Sequence, residues 1–316
     1  MGSLREARGG AGVERSDLAG SDGNVRGVLD SHVHFWDPQR LRYPWLAGEP
    51  ALNRAFLPVD LAAARRSDGG VLVVEADRAS DEAVAEVDWL TGLARAGAPI
   101  RGVVAHLPLE RGLACRPLLA ELAVRPLVVG VRRLLQDQRT GFALAPDFVA
   151  GVRQLAEHRF VLDLCVRDHQ LAEVAELARR CPEITFVLDH LGKPAVGHRP
   201  LQDWARDVQR LAALSNVACK LSGLTSEAAR AAGTPAHLRS YLRHAVAVFG
   251  PERCMFGSDW PVASLTTTYG GWLDTVCDAV GDLTAADQDR IMIQTAESVY
   301  GLGGPRRDER KNRQWC

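Results

Sequence analysis

Short apolar runs alternate with longer amphipathic segments along most of this chain. The runs are Gly27–His32, Gly70–Glu75, Ile100–Ala105, Leu127–Arg132, Phe160–Val166, Thr185–His190, Asn216–Ser222 and Cys254–Asp259, and their starts recur about every 32 residues. They are continuous in Val, Leu and Ile, without the apolar–polar alternation of a half-exposed strand. That is how strands buried on both faces of a parallel sheet read. Helical patterns fall between them, over Asp81–Ala96, Arg116–Val124, Pro146–Glu157, His169–Arg180, Leu201–Leu214, Pro235–Phe249 and Thr284–Tyr300. Pro146, Pro235 and Pro251 stand at or near segment starts, where a missing N–H costs little. Thr284 with Asp287 three residues on comes close to a capping box.

Eight β-α repeats predict an α/β protein with a single (β/α)8 TIM-type barrel. An open doubly wound sheet would need a Gly-rich turn after the first strand. Here that turn carries Trp36-Asp37-Pro38, and the chain has neither a phosphate-binding G-x-x-x-x-G-K-[ST] nor a G-x-S-x-G elbow. The barrel is expected over residues 27–303. Residues 1–26 are aperiodic and rich in Gly, Ser, Arg and Asp, so an N-terminal disordered extension is expected there. Residues 304–316 read as a charged tail.

Composition narrows the partners. The 316 residues are 47% hydrophobic, enough for a large core, and 38 basic against 39 acidic residues give a formal net charge of −1. With no basic stripe interleaved with aromatics, nucleic acid is not an expected partner. No run of 18 apolar residues predicts a membrane span, and the N-terminus lacks the apolar stretch of a signal peptide. Seven cysteines include no C-x-x-C pair, and Cys165, Cys219 and Cys254 read as small buried hydrophobes. A cytoplasmic monomer or homodimer is expected.

In such a barrel the chemistry lies at the C-terminal ends of the strands. The first run ends in His32-Val33-His34, whose side chains at i and i+2 face one way and suit a shared divalent cation. The second ends in Glu75, the third in His106, the fourth in Arg132-Arg133, and the sixth in Asp189-His190. The seventh carries Lys220 and Ser222, and the eighth ends in Asp259 before Trp260-Pro261. Taken singly, each marks a place where a buried strand meets water. Together, nitrogen and oxygen donors converging on one mouth suit Zn²⁺ or Mn²⁺. Arg132 and Lys220 offer positive donors to a substrate, and Trp36, Tyr43 and Trp45 in the first loop offer an apolar wall. His158, His169, His237 and His244 are assigned to helix surfaces.

Four motifs carry a resemblance over about Gly27 to Gly303: Asp30-Ser31-His32-Val33-His34-Phe35-Trp36-Asp37-Pro38, Asp189-His190-Leu191-Gly192-Lys193-Pro194, Lys220-Leu221-Ser222-Gly223-Leu224 and Phe256-Gly257-Ser258-Asp259-Trp260-Pro261. In this order they resemble the amidohydrolase-2 branch of the amidohydrolase superfamily. The sugar-lactonase-like group, with L-fuconolactonase, L-rhamnonolactonase and pyrone-dicarboxylate lactonase, is the nearest match. The resemblance implies a (β/α)8 fold and a hydrolase that opens a small lactone. It implies His32 and His34 as the metal pair, His190 as a ligand or carbonyl-polarising group, and Asp259 as the water-activating aspartate. No lysine follows the fourth strand, so one divalent metal, with Glu75 as an extra ligand, is expected rather than two; zinc is the first choice and manganese the second. Some pyrone-lactonase relatives work without metal, so a metal-free route stays open. The alternatives are a metal-dependent non-oxidative decarboxylase of an aromatic or muconate-type acid, which shares the same histidines and aspartate, and a non-catalytic sugar-acid binder.

Overall fold

The computed structural model describes residues 27–65, 68–229 and 235–302. The expected N-terminal extension and C-terminal tail lie outside the described residues. Eight strands form one sheet in chain order: β1 (Asp30–Val33), β2 (Val71–Val74), β3 (Ile100–His106), β4 (Val128–Arg132), β5 (Val161–Leu164), β6 (Phe186–Leu188), β7 (Val217–Leu221) and β8 (Cys254–Phe256). Neighbouring strands from β1 to β8 pair in parallel. Closure comes just beyond β8, where Asp259 N donates to His32 O at 2.9 Å and His34 N donates to Trp260 O at 2.8 Å. The result is the (β/α)8 TIM barrel that the eight runs predict.

Alternation along each strand separates two cores. Leu72 and Val74 of β2, Val104 of β3, Val161 of β5, Val187 of β6, Ala218 of β7 and Met255 of β8 fill the barrel interior. Their neighbours, among them Val71, Val73, Leu162, Phe186 and Leu188, pack outward under the helices. Two residues beyond Val161, Val187 and Ala218 stand Asp163, Asp189 and Lys220, all fully buried. On β5, β6 and β7 the inward face therefore turns from apolar to charged within one pleat repeat toward the C-terminal end.

The helices are α1 (Pro58–Ala64), α2 (Ala83–Arg95), α3 (Arg116–Ala123), α4 (Pro146–Arg153), α5 (Leu171–Arg180), α6 (Leu201–Ala212), α7 (Leu224–Ala229), α8 (Pro235–Phe249), α9 (Tyr269–Val280), α10 (Ala285–Asp289) and α11 (Thr295–Val299). The predicted helix over Thr284–Tyr300 is broken by a π-turn at Arg290–Gln294, although Thr284 does cap it by accepting from Asp287 N at 3.2 Å. Among the described residues no helix is long and apolar enough to cross a membrane, and no cysteine is in a disulfide.

Sequence periodicity did not single out α1, α7 or α9. For α9 the signal is there: Trp272, Leu273, Val276, Ala279 and Val280 are buried at helical spacing behind a Thr268 N-cap. Trp272 is buried, and its indole N–H donates to Gly257 O at 2.8 Å, directly under the β8 turn. Trp272→Ala is expected to destabilise the fold by about 3–5 kcal/mol, read as a lower urea midpoint. A loss below about 1 kcal/mol would mean that α9 does not support that turn.

Candidate active site

His32 lies in the last two residues of β1 and His34 just past it, so both rings point into the mouth, with Nε2 atoms 3.2 Å apart. His34 Nδ1 lies 2.8 Å from Val74 O. A carbonyl only accepts, so Nδ1 carries the proton and the Nε2 lone pair faces the centre. His32 Nδ1 is 3.2 Å from Asp189 Oδ1. His190 follows β6 in a left-handed turn (φ 53°), and its Nδ1 is 2.9 Å from Ser222 Oγ. Gly223 makes room for that ring: at φ +66° a Cβ there would stand 2.4 Å from His190 Nδ1. Asp259, also left-handed at φ 60°, puts Oδ1 3.6 Å from His34 Nε2, 3.8 Å from His32 Nε2 and 3.9 Å from His190 Nε2. Asp30 ties the first motif to the last, its Oδ1 accepting from His32 N at 3.1 Å and Ser258 N at 2.8 Å.

Burial sets the charge states. It pushes His190 down to about 4, against the pull of Asp259 and Asp189, and holds His32 well below its ordinary range despite Asp189. Both imidazoles are thus neutral near pH 7, as ligation requires. Burial alone would raise Asp259, but His190, His34 and His32 outweigh it and hold the carboxyl well below the usual range. Asp189 is likewise held low by Lys220 and His32 against its burial.

This donor set fits a divalent cation. Two overlapping groups, His32/His34/Asp259 and His32/Asp189/His190, keep their ligand atoms within 4.8 Å of one another. Two nitrogens at about 2.0–2.1 Å from one tetrahedral ion stand about 3.3 Å apart, which matches the 3.2 Å between His32 and His34. Asp189 stands behind His32 as a carboxylate that orients the ring and raises its basicity.

The family model described as Amidohydrolase matches residues 29–302. The chain belongs to the amidohydrolase family. An L-fucono-1,5-lactonase from Burkholderia multivorans is 35% identical over 299 residues, covering 88% of this chain and 97% of the relative. An L-rhamnono-gamma-lactonase from Scheffersomyces stipitis is 28% identical over 201 residues, covering 56% of this chain and 60% of the relative. Among solved structures, an amidohydrolase from Burkholderia multivorans with bound zinc aligns with a TM-score of 0.76 at 35% identity, covering 87% of this chain and 99% of that one.

Within this amidohydrolase, His32, His34, His190 and Asp259 meet at one mouth, and Arg132 lies beside them with Nη1 3.5 Å from His32 Nε2. Glu75 does not join them as a ligand. Its Oε1 accepts from Arg132 Nε at 2.8 Å, and its Oε2 accepts from Asp77 N at 2.9 Å and lies 3.4 Å from Arg78 Nη1. Burial would raise its carboxyl, but Arg132, His106 and Arg78 bring it down to about 2. Lys220, expected to meet substrate, is instead sealed beneath His32. Trp36 is not a wall of the mouth either: it is fully buried, its N–H donates to Arg54 O at 2.8 Å, and its ring meets Trp45 and Phe56 edge-on. Tyr43 is buried too.

Of the helix histidines, His169 and His237 are exposed, His158 is half-buried, and His244 is half-buried against Trp204 rather than free on the surface. Asp30, Asp163, Asp189 and Tyr300 had no role assigned from sequence. Asp163 and Asp189 share an inward position two residues past a buried valine, and that was the available signal.

Glu86 adds a second buried carboxyl behind Arg78, accepting from Ala76 N at 3.1 Å with Oε2 3.6 Å from Arg78 Nε. Burial pushes it up to about 8, with Arg78 opposing and Glu75 adding to the rise. A carboxyl raised on folding holds its proton while the unfolded chain releases it. Its contribution to stability therefore falls as pH climbs from about 4.5 to about 8. Glu86→Gln should raise the melting temperature more at pH 8 than at pH 5. An equal effect at both values in thermal unfolding would show that Glu86 is ionised in the folded state.

Proposed function

We propose that this amidohydrolase opens sugar-acid lactones or closely related small lactones by adding water to the ring carbonyl. The observation that carries this is the 35% identity to a lactonase across 88% of the chain, joined to three imidazoles around one ionised aspartate. We assign His32, His34 and Asp259 as the residues that hold one divalent ion, with His190 beside them, and zinc as that ion. When bound, the ion supplies Lewis-acid polarisation of the carbonyl oxygen.

Asp259, held ionised, takes a proton from the attacking water as its oxygen bonds the carbonyl carbon. His190, neutral and 3.9 Å from Asp259 Oδ1, lines the same side of the reacting centre. The tetrahedral adduct collapses by breaking the bond between the carbonyl carbon and the ring oxygen. Asp259 then returns its proton to that oxygen, leaving a hydroxy acid. Arg132 offers a guanidinium N–H to substrate oxygen, and Glu75 keeps that fork aligned. Asp259, His190, His34 and Arg132 are between 4 and 5% exposed, so the chemistry runs with little competing water.

A pH-indicator screen across aldonolactones tests the assignment, with and without chelator. Acid release by the unaltered protein is expected, with loss on chelation and recovery on adding zinc. Asp259→Asn should lower kcat by about 10²–10⁴-fold. No acid from any lactone, together with CO₂ release from aromatic or muconate-type acids, would replace it with a decarboxylase.

A further inference from the structure

Lys220 is a fully buried lysine whose ammonium faces no substrate. Its Nζ lies 2.5 Å from Asp163 Oδ2, 3.1 Å from Asp189 Oδ1 and 3.2 Å from His32 Nδ1. On the side away from the mouth, Tyr300 completes the set, its hydroxyl donating to Asp163 Oδ1 at 2.7 Å. Tyr300 follows α11 and packs with Ala296 inside the barrel, among Leu29 and Leu72 at the strand starts. A continuous line, Tyr300–Asp163–Lys220–Asp189–His32, thus runs up the barrel axis from the last described helix to the mouth.

Sealing an ammonium among strands costs several kcal/mol unless it is well paired. Here the pairing is asymmetric in purpose. The Asp163 carboxylate bonds Lys220 and Tyr300. Asp189 faces both Lys220 and His32, and Arg132 Nη1 competes for its other oxygen at 3.5 Å. Without Lys220 at 3.1 Å, the nearest remaining cation would draw the Asp189 carboxylate off His32. Ligation through Nε2 needs the His32 proton on Nδ1, where it is donated to Asp189 Oδ1 at 3.2 Å.

We propose that Lys220, Asp163 and Tyr300 are positioning residues that fix Asp189 against His32 and so aim the His32 Nε2 lone pair at the cation site. This rests on the metal assignment above. Lys220 acts only through other side chains, and so does Asp163 one step further out. The C-terminal segment thereby reaches the mouth without touching substrate.

The full chain, stripped of metal and titrated with Zn²⁺ or Co²⁺, tests this. Zinc affinity is measured by competition with a chromophoric chelator, and ligand geometry by the visible bands of the Co²⁺ form. Lys220→Met should weaken zinc binding by about 10- to 100-fold, the usual effect of losing a residue that orients a ligand, and shift the Co²⁺ bands. Asp163→Asn, which leaves one acceptor oxygen for two donors, should change both in the same direction. If Lys220→Met does not fold, Asp163→Asn decides alone, with near-ultraviolet circular dichroism reporting its packing. Folded variants with unchanged affinity and unchanged bands overturn the relay. An unaltered protein that binds neither ion overturns the metal assignment, and the relay with it.

Discussion

One carboxylate joins the two ends of the sheet. Asp30 Oδ1 accepts from the backbone of His32 on the first strand and of Ser258 beyond the last, inside a closed barrel. With Asp259 N on His32 O and Ser31 Oγ on Phe256 O at 2.6 Å, it locks the register across the seam. Residues more than 220 positions apart in sequence become neighbours within hydrogen-bonding range. Every distance among His32, His34 and Asp259 depends on that seam, because each of the three supplies a backbone atom to a bond that closes it.

The barrel interior is then made to carry charge. Burial alone would neutralise isolated acids and bases there, and it does so to the imidazoles of His32 and His190. Neighbouring cations or rings hold three buried carboxylates low. Asp189 has Lys220, Glu75 has Arg132 and Arg78, and Asp259 has three imidazoles. Glu86 has only a shared hold on Arg78, and its carboxyl moves up instead. The result is a mouth in which the His32 and His190 imidazoles are neutral beside a charged Asp259 carboxylate.

In the proposed site this division separates groups at the mouth from groups that hold them. Glu75, Lys220 and Trp36 stand at or near strand ends and look equivalent to His190 in the chain. In space, Glu75 anchors Arg132, Lys220 anchors Asp189, and Trp36 anchors the first loop through Arg54 O. All three are fully buried, whereas His34, His190 and Asp259 keep a small opening to the mouth.

Local sequence determined the eight strands, because a strand buried on both faces must be continuously apolar whatever its neighbours are. It also determined His32, His34, His190 and Asp259 as candidates, since each sits where such a run meets polar residues. The family assignment needed no more than those four motifs in order. The tertiary structure alone decided which polar residues face the cation site and which sit a layer below. That depends on the stagger between strands and on which cation lies nearest each carboxylate, and no periodicity within a single strand encodes either. Asp163 and Tyr300 show this most plainly: 137 residues apart, they meet only because the residue after the last described helix enters the barrel beneath the fifth strand. The same holds for Glu75, a plausible ligand by position that two guanidinium groups claim once the barrel closes.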